Sequence, residues 1–299
     1  MTANLSVFDS PEAEASFTKA YDAVLGTWPV PYESRFVATS FGQTHVIISG
    51  DPQGPPVVLL PPGGSHAPIW VRNVGTLSRI YRVYAVDIIG ELNRSRPTRP
   101  IKTHAAFMEW ITELFDGLEL RQVNLIGNSN GGFFALETAL LRPERVDKVV
   151  LISPAATFVQ MWAWWRHLLV PAHIIAPLIH SERMIMKAYD WLWQGFPMDD
   201  CYRELRLQSK LTGKKYRPSI NSAIPRVLSD SELRRIKAQT LLLIGDHEVI
   251  YNSIAVIRRA TNLVRGLQAK IVKNANHSAQ YTAPDSVNAE ILNFLRGDN

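Results

Sequence analysis

The stretch V-N-L-I-G-N-S-N-G-G, Val123 to Gly132, constrains this chain more than any other. Val123 to Ile126 read as a buried strand, and Phe133, Phe134, Leu136, Ala139 and Leu140 recur at helical spacing directly afterwards. Between them Gly127, Asn128, Ser129, Asn130 and Gly131 form the pattern G-x-S-x-G. A strand that turns sharply into a helix holds such a serine in a strained conformation with its hydroxyl exposed, and the flanking glycines give the turn room. Ser129 is therefore the candidate nucleophile. The plainer alternative is an ordinary strand-to-helix turn with a capping serine.

Around this stretch apolar runs and helical patterns alternate. Strands are expected at Val57 to Leu60, Arg82 to Val86, Val123 to Ile126, Lys148 to Ile152, Thr240 to Ile244 and Ala269 to Val272. Helices are expected at about Ile69 to Arg79, His104 to Gly117, Gly131 to Leu141, Ser253 to Asn262 and Ser286 to Leu295. Such alternation is the signature of an α/β domain with a mostly parallel central sheet flanked by helices. Upstream, residues 11 to 26 read as an amphipathic helix on the outside of the domain, and Arg35 to Thr39 with Thr44 to Ser49 as a hairpin on a sheet edge.

The alternation stops between Ser153 and about Asp230, a segment rich in Trp, Met and Pro without a convincing strand. A helical cap inserted into the core explains this, giving a core of residues 1–153 and 231–299 and a cap of 154–230. Trp162, Trp164, Trp165, Trp191 and Trp193 all fall in the insertion. A lid over an apolar pocket needs such residues, although each could equally glue cap to body.

Composition removes several classes. Apolar residues make up 46% and charged residues 20%, as in a globular protein. The net charge of +5 comes from dispersed basic residues, so no nucleic-acid partner is expected. A single cysteine, Cys201, excludes an intrachain disulfide and cysteine-rich metal sites. No histidine pair has H-x-x-x-H spacing, so no metal is expected either. The N-terminus lacks the pattern of a signal peptide, pointing to the cytoplasm. The lipophilic segment Phe158 to Ile179 carries Arg166, His167 and His173 and is broken by Pro171 and Pro177, which argues against stable membrane insertion.

A serine hydroxyl needs a base to take its proton and a third group to orient that base. After the strand ending at Ile244 comes G-D-H-E-V-I-Y, offering Asp246 and Glu248. After Val272 comes K-N-A-N-H-S, offering His277, the only histidine past the final expected strand. The order serine, acid, histidine on successive strand-end loops is that of a serine hydrolase. His45, His104, His167, His173 and His180 read as structural or surface residues, and His247 as shaping the acid loop. Glu248, farther beyond the strand end, is the preferred acid. Asp246 is the alternative, otherwise a loop-former bonding backbone N–H groups. For the oxyanion of an acyl-transfer intermediate the expected donors are the N–H groups of Asn130 and Gly63, with Gly64 second; Pro62 has none to give. Gly64, His66, Asn128, Trp162, Trp165 and Trp191 are the candidate pocket residues.

The motifs W-P-V (Trp28 to Val30), F-G-Q-T-H-V-I (Phe41 to Ile47), Y-A-V-D-I-I-G (Tyr84 to Gly90), R-P-E-R-V (Arg142 to Val146), L-I-S-P-A (Leu151 to Ala155) and G-D-H-E-V-I-Y (Gly245 to Tyr251) carry a family likeness. With them the chain resembles α/β-hydrolase-fold serine esterases, and more closely bacterial carboxylesterases of the naproxen-esterase type. The resemblance spans nearly all of the chain except the cap. It implies an α/β-hydrolase fold and places Ser129, Glu248 and His277 at the triad positions. Two departures stand out: Pro61-Pro62 replaces the His-Gly that usually opens the oxyanion loop, and Asn276 replaces a Gly common before the histidine. The serine's flanks also resemble the G-N-S-x-G-G of hydrolases that cleave carbon–carbon bonds.

The resulting expectation is a serine hydrolase, with no cofactor, cleaving small-molecule carboxylic esters that carry a bulky hydrophobic or aromatic portion. A carbon–carbon hydrolase, a lactonase, an acyltransferase or cyclase, and a non-catalytic ligand-binding protein are the rivals. Assembly into a homo-oligomer is left open.

Overall fold

A computed structural model describes residues 5–162, 187, 190, 193–213 and 223–297. The chain begins with α1 (Pro11–Leu25), the hairpin β1 (Tyr32–Thr39) and β2 (Gly42–Ser49), and β3 (Pro56–Leu60). A 3-10 turn (Ala67–Trp70) runs into α2 (Val71–Leu77), followed by β4 (Arg82–Val86), a two-residue β5 (Arg96–Pro97) and α3 (His104–Gly117). Then come β6 (Val123–Asn128), α4 (Asn130–Leu141), β7 (Val146–Ile152), α5 (Asp200–Leu211) and α6 (Asp230–Arg234). The chain closes with β8 (Gln239–Gly245), α7 (Ser253–Leu263), β9 (Gln268–Val272), α8 (Ala279–Thr282) and α9 (Pro284–Arg296).

The strands form one sheet in the order β1-β2-β4-β3-β6-β7-β8-β9, with β5 paired to β2. The pairs β1/β2 and β2/β4 are antiparallel, and every pair from β4 to β9 is parallel. All six strands of the sequence pattern are present. The inner ones read as apolar runs because both faces are covered, whereas β9 at the sheet edge leaves Lys270 and Ile271 exposed. In β3, Val58 and Leu60 enter one hydrophobic cluster while Val57 and Leu59 enter the other; in β8, Leu242 and Leu241 divide the same way.

One element differs from the sequence reading. The helix expected over Ile69 to Arg79 is a 3-10 turn continued by α2, begun by Pro68, whose fixed φ suits a first turn. Helix α1 lies on the outside as an amphipathic helix, exposed on one face. It packs against α5, and Phe17 and Tyr21 on its inner face are fully buried.

Between 153 and 230 no strand occurs among the described residues; Gly213 makes one isolated bridge to Phe8. Both stems of this segment are tied to the core. The Leu228 N–H donates to the Thr157 carbonyl (3.0 Å), and the Arg259 guanidinium from α7 donates to the carbonyls of Phe158 and Leu228 and to Asp230. No helix among the described residues is long and apolar enough to cross a membrane.

Candidate active site

The parallel arrangement brings the C-terminal ends of β3, β6, β8 and β9 to one edge of the sheet, where ligands of open α/β sheets bind. At the end of β6 the backbone turns at Ser129 with φ 54° and ψ −117°, an unfavourable conformation for a residue with a Cβ. The turn is over-determined. The Ser129 N–H donates to the Ile152 carbonyl (3.0 Å), and its carbonyl accepts from Phe133 and Ala155 (both 3.0 Å). The glycines on either side are spatial necessities: a Cβ on Gly127 would lie 2.2 Å from the Gly131 carbonyl oxygen, and one on Gly131 would lie 2.2 Å from that of Leu60. Although Ser129 stands at the N-cap position of α4, its side chain makes no capping hydrogen bond. The plain capping-serine alternative is thereby removed.

The histidine and acid loops meet beside this turn. His277 Nδ1 and Glu248 Oε2 lie 2.8 Å apart, with Glu248 fully buried and His277 nearly so. Burial alone would push the Glu248 carboxyl up. The charge of His277, the hydrogen bond to it and the Ile250 N–H outweigh burial and hold the group below the ordinary carboxylate range. A carboxylate has no proton to give, so His277 Nδ1–H is the donor and Nε2 is left for other work. Asp246 takes the other place: its Oδ1 accepts the Ala275 N–H at 3.1 Å and braces the two loops. A Cβ on Gly245 would lie 2.3 Å from the Ala275 carbonyl oxygen, which shows how tightly they are zipped.

Among the pocket candidates the structure divides the set. Asn128 is fully buried and spends its amide internally, donating to the Ile152 carbonyl (3.0 Å) and the His277 carbonyl (2.9 Å) and accepting from Gln280 Nε2 (3.0 Å). It clamps the histidine loop to the strand ends. His66 is also withdrawn, packed against the rings of Phe17 and Tyr21 with Nε2 at 2.7 Å from Ser209 Oγ. Ser209 gives its own proton to the Leu205 carbonyl (2.6 Å), so His66 Nε2 must donate, and burial lowers the imidazole pKa to about 3. Trp162 is 44% exposed at the mouth of the insertion, its N–H donating to the Ile250 carbonyl at 2.9 Å. Trp165 and Trp191 lie outside the described residues, as do Trp164, His167, His173 and His180.

The loop after β3 runs along the N-terminus of α4. A Cβ on Gly63 would lie 2.2 Å from Asn130 Nδ2, so the Asn130 side chain packs against Gly63. As the first residue of α4, Asn130 has an N–H without an intrahelical acceptor. Gly64 has φ +65° and turns its N–H toward the Glu91 carboxyl, whose pKa burial raises against the opposing pull of Lys210 and of that N–H. Ser65, two residues past Pro62-Gly63, returns its N–H to the Pro62 carbonyl (3.1 Å) and meets the Tyr202 hydroxyl of α5 (3.1 Å). Pro61-Pro62 thus opens a loop pinned between α4 and α5.

Two residues that the sequence reading noted without a place at the site anchor the histidine loop. Asn276 donates to the Trp193 carbonyl (2.9 Å) and accepts the Ser278 N–H (2.8 Å), so it joins the histidine loop to the insertion. Trp193 itself packs against the Tyr281 ring at 5.7 Å between centroids. The one signal was the departure from glycine before His277.

A sheet of this order, with a strained serine turn after a central strand and a histidine–carboxylate pair on later loops, defines a class. The sequence profile of the alpha/beta hydrolase fold family matches residues 55–284, and the chain belongs to that family. It is similar to carboxylesterase YbfK of Bacillus subtilis, 34% identical over 97% of this chain and 97% of the relative. The crystal structure of that esterase (CesB) superposes with a TM-score of 0.87, covering 96% of this chain and 99% of the other. The naproxen esterase of Bacillus subtilis gives a TM-score of 0.88 at 30% identity and the same coverage. A meta-cleavage product hydrolase from Pseudomonas fluorescens, at 21% identity and TM-score 0.70, shares the fold. The resemblance to naproxen-esterase-type carboxylesterases read from the motifs is borne out.

Proposed function

We propose that the chain hydrolyses carboxylic esters with Ser129 as nucleophile, His277 as general base and acid, and Glu248 as the group that orients the imidazole. The carrying observation is the 2.8 Å bond between His277 Nδ1 and a fully buried Glu248, next to a serine held at positive φ. The class, carboxylic ester hydrolase, rests on relatives of that name above 30% identity along nearly their whole length.

In this reading Ser129 Oγ attacks the ester carbonyl while His277 Nε2 takes its proton. The N–H groups of Gly63 and Asn130 hold the oxyanion, a contribution of about 3 kcal/mol per donor in such sites. Collapse of the tetrahedral intermediate breaks the ester C–O bond, and the alcohol departs with the proton from His277. Water, deprotonated by the same imidazole, then releases the acid and regenerates Ser129. Glu248 stays ionised throughout and offsets the imidazolium charge.

Residues 154–230 act in this proposal as a helical cap over the site, supported by the ties from Asn276 to Trp193 and from Trp162 to Ile250. Its tryptophan-rich composition favours a bulky hydrophobic or aromatic ester. A cytoplasmic location belongs to the same reading, supported by the single cysteine. The likeness of G-N-S-N-G-G to carbon–carbon hydrolases does not favour that chemistry, because Asn128 is occupied by backbone carbonyls.

Acid quenching during turnover of an aryl ester, followed by peptide mapping, tests the proposal. The expected result is an acyl mass on the Ser129 peptide, faster with bulky aromatic esters than with small charged ones. No acyl mass there during active turnover overturns the assignment, and preference for small charged esters overturns the substrate class.

A further inference from the structure

A second serine–histidine–carboxylate arrangement lies far from the elbow in the sequence, on the antiparallel side of the sheet. Ser34 Oγ on β1 is 2.8 Å from His45 Nε2 on β2, and His45 Nδ1 is 2.9 Å from Asp87 Oδ2, just past β4. His45 and Asp87 are fully buried while Ser34 is exposed. The register explains the meeting: β1 and β2 pair antiparallel with Phe36 opposite His45 and Ser34 opposite Ile47, and β2 is flanked by β4, which ends at Val86.

The proton positions follow from the partners. Asp87 accepts from the Tyr21 hydroxyl (2.9 Å), the Ala67 N–H (2.8 Å) and the Arg94 N–H (3.3 Å) besides His45. Burial would raise its pKa, but the hydrogen bonds from His45 and the Ala67 N–H bring it below the ordinary range. It is therefore an anion without a proton to share, and His45 Nδ1–H must donate to it. In the neutral ring Nε2 then carries the lone pair, and Ser34 donates its hydroxyl proton to it. This is the same division of the imidazole that His277 shows, with an exposed hydroxyl at its end.

The surroundings name a ligand class. In a strand, residues two apart share a face, so Tyr32 and Phe36 flank Ser34, and both are large exposed rings at 43% and 41%. The Arg96 guanidinium lies 4.9 Å from the centroid of the Phe36 ring. The Tyr32 ring packs edge-on against Trp28 and the Phe36 ring against His45, and their exposed parts leave apolar surface on both sides of Ser34 against which a flat apolar group can lie.

We propose that Ser34 is a second nucleophilic serine of this chain, acylated by aryl esters with His45 as the base and Asp87 as the orienting carboxylate. Ser34 Oγ bonds to the acyl carbon, the C–O bond to the aryl group breaks, the phenolate leaves, and the hydroxyl proton passes to His45 Nε2 and on to water. With a fluorophosphonate the Oγ–P bond forms and fluoride leaves. The inference covers one acylation event and not turnover, because Ser34 lies in an ordinary extended strand without the strained turn and the helix N-terminus that surround Ser129. It stands independently of the role given to Ser129.

The test treats the full chain carrying Ser129→Ala with p-nitrophenyl acetate and, separately, with diisopropyl fluorophosphate, then maps adducts by peptide mass. Ser40 is an internal control, an exposed serine whose hydroxyl donates to Glu113 (2.8 Å). The expected result is one adduct, on Ser34, formed at least tenfold faster than on Ser40. Adding Ser34→Ala should abolish it, and adding His45→Gln should slow it at least tenfold in protein that retains its circular dichroism. Equal labelling of Ser34 and Ser40, or none on Ser34, overturns the proposal even where the His45 variant does not fold.

Discussion

The two histidine–carboxylate pairs of this molecule, His277–Glu248 and His45–Asp87, are nearly identical at the imidazole and different everywhere else. Their Nδ1–oxygen distances are 2.8 and 2.9 Å, and both carboxylates are fully buried. His277, however, sits on a loop after the last strand, tied through Asn128 to the turn at Ser129, while His45 sits inside a strand and meets a serine across a flat antiparallel pair. The contrast teaches that a relay alone does not make an enzyme. What distinguishes the first site is backbone: a serine at positive φ directly before a helix N-terminus, and glycines that let α4 approach β3.

The largest test of that contrast separates the two acids of the first site. Glu248→Gln should lower kcat by on the order of 10²- to 10⁴-fold, since the amide can no longer offset the imidazolium. Asp246→Asn should stay within about threefold, because Asp246 accepts a backbone N–H and does not reach His277. Comparable losses in the two variants would break the assignment.

A smaller effect sharpens the second site. Near Asp87 stand two imidazoles, His45, which donates to it, and His66, whose pKa burial lowers to about 3. A histidine depressed in the folded state binds fewer protons than the unfolded chain between pH 6.5 and about 3. Stability therefore falls as pH drops through that window, with a slope of up to about 1.4 kcal/mol per pH unit from this group. His66→Gln should flatten the fall by that amount in urea titrations at pH 7, 6 and 5. An unchanged slope would place the acid sensitivity elsewhere.

Much of this was legible because it depends on local pattern. The inner parallel strands are apolar runs, the elbow is a five-residue signature, and the loops that carry Glu248 and His277 follow β8 and β9 in order. What was not legible depends on register and side-chain direction. His45 looked structural because nothing in sequence says that Ser34 and Asp87 flank it from two other elements. Asn128 and His66 were assigned to a pocket because their proximity to the elbow and the glycine loop was readable and their orientation was not. That α1 packs on α5 was not legible, because α5 has a strongly polar sequence with few anchors, Tyr202 and Leu205 among them.

The central claim is that ester turnover runs through Ser129 and not through the look-alike at Ser34. Steady-state kcat/KM for one aryl ester, measured on Ser129→Ala beside Ser34→Ala, tests it most directly. The account expects Ser129→Ala to lose on the order of 10³-fold or more and Ser34→Ala to remain within about twofold of the unaltered protein. A Ser129→Ala enzyme that keeps more than about a tenth of its activity would contradict it.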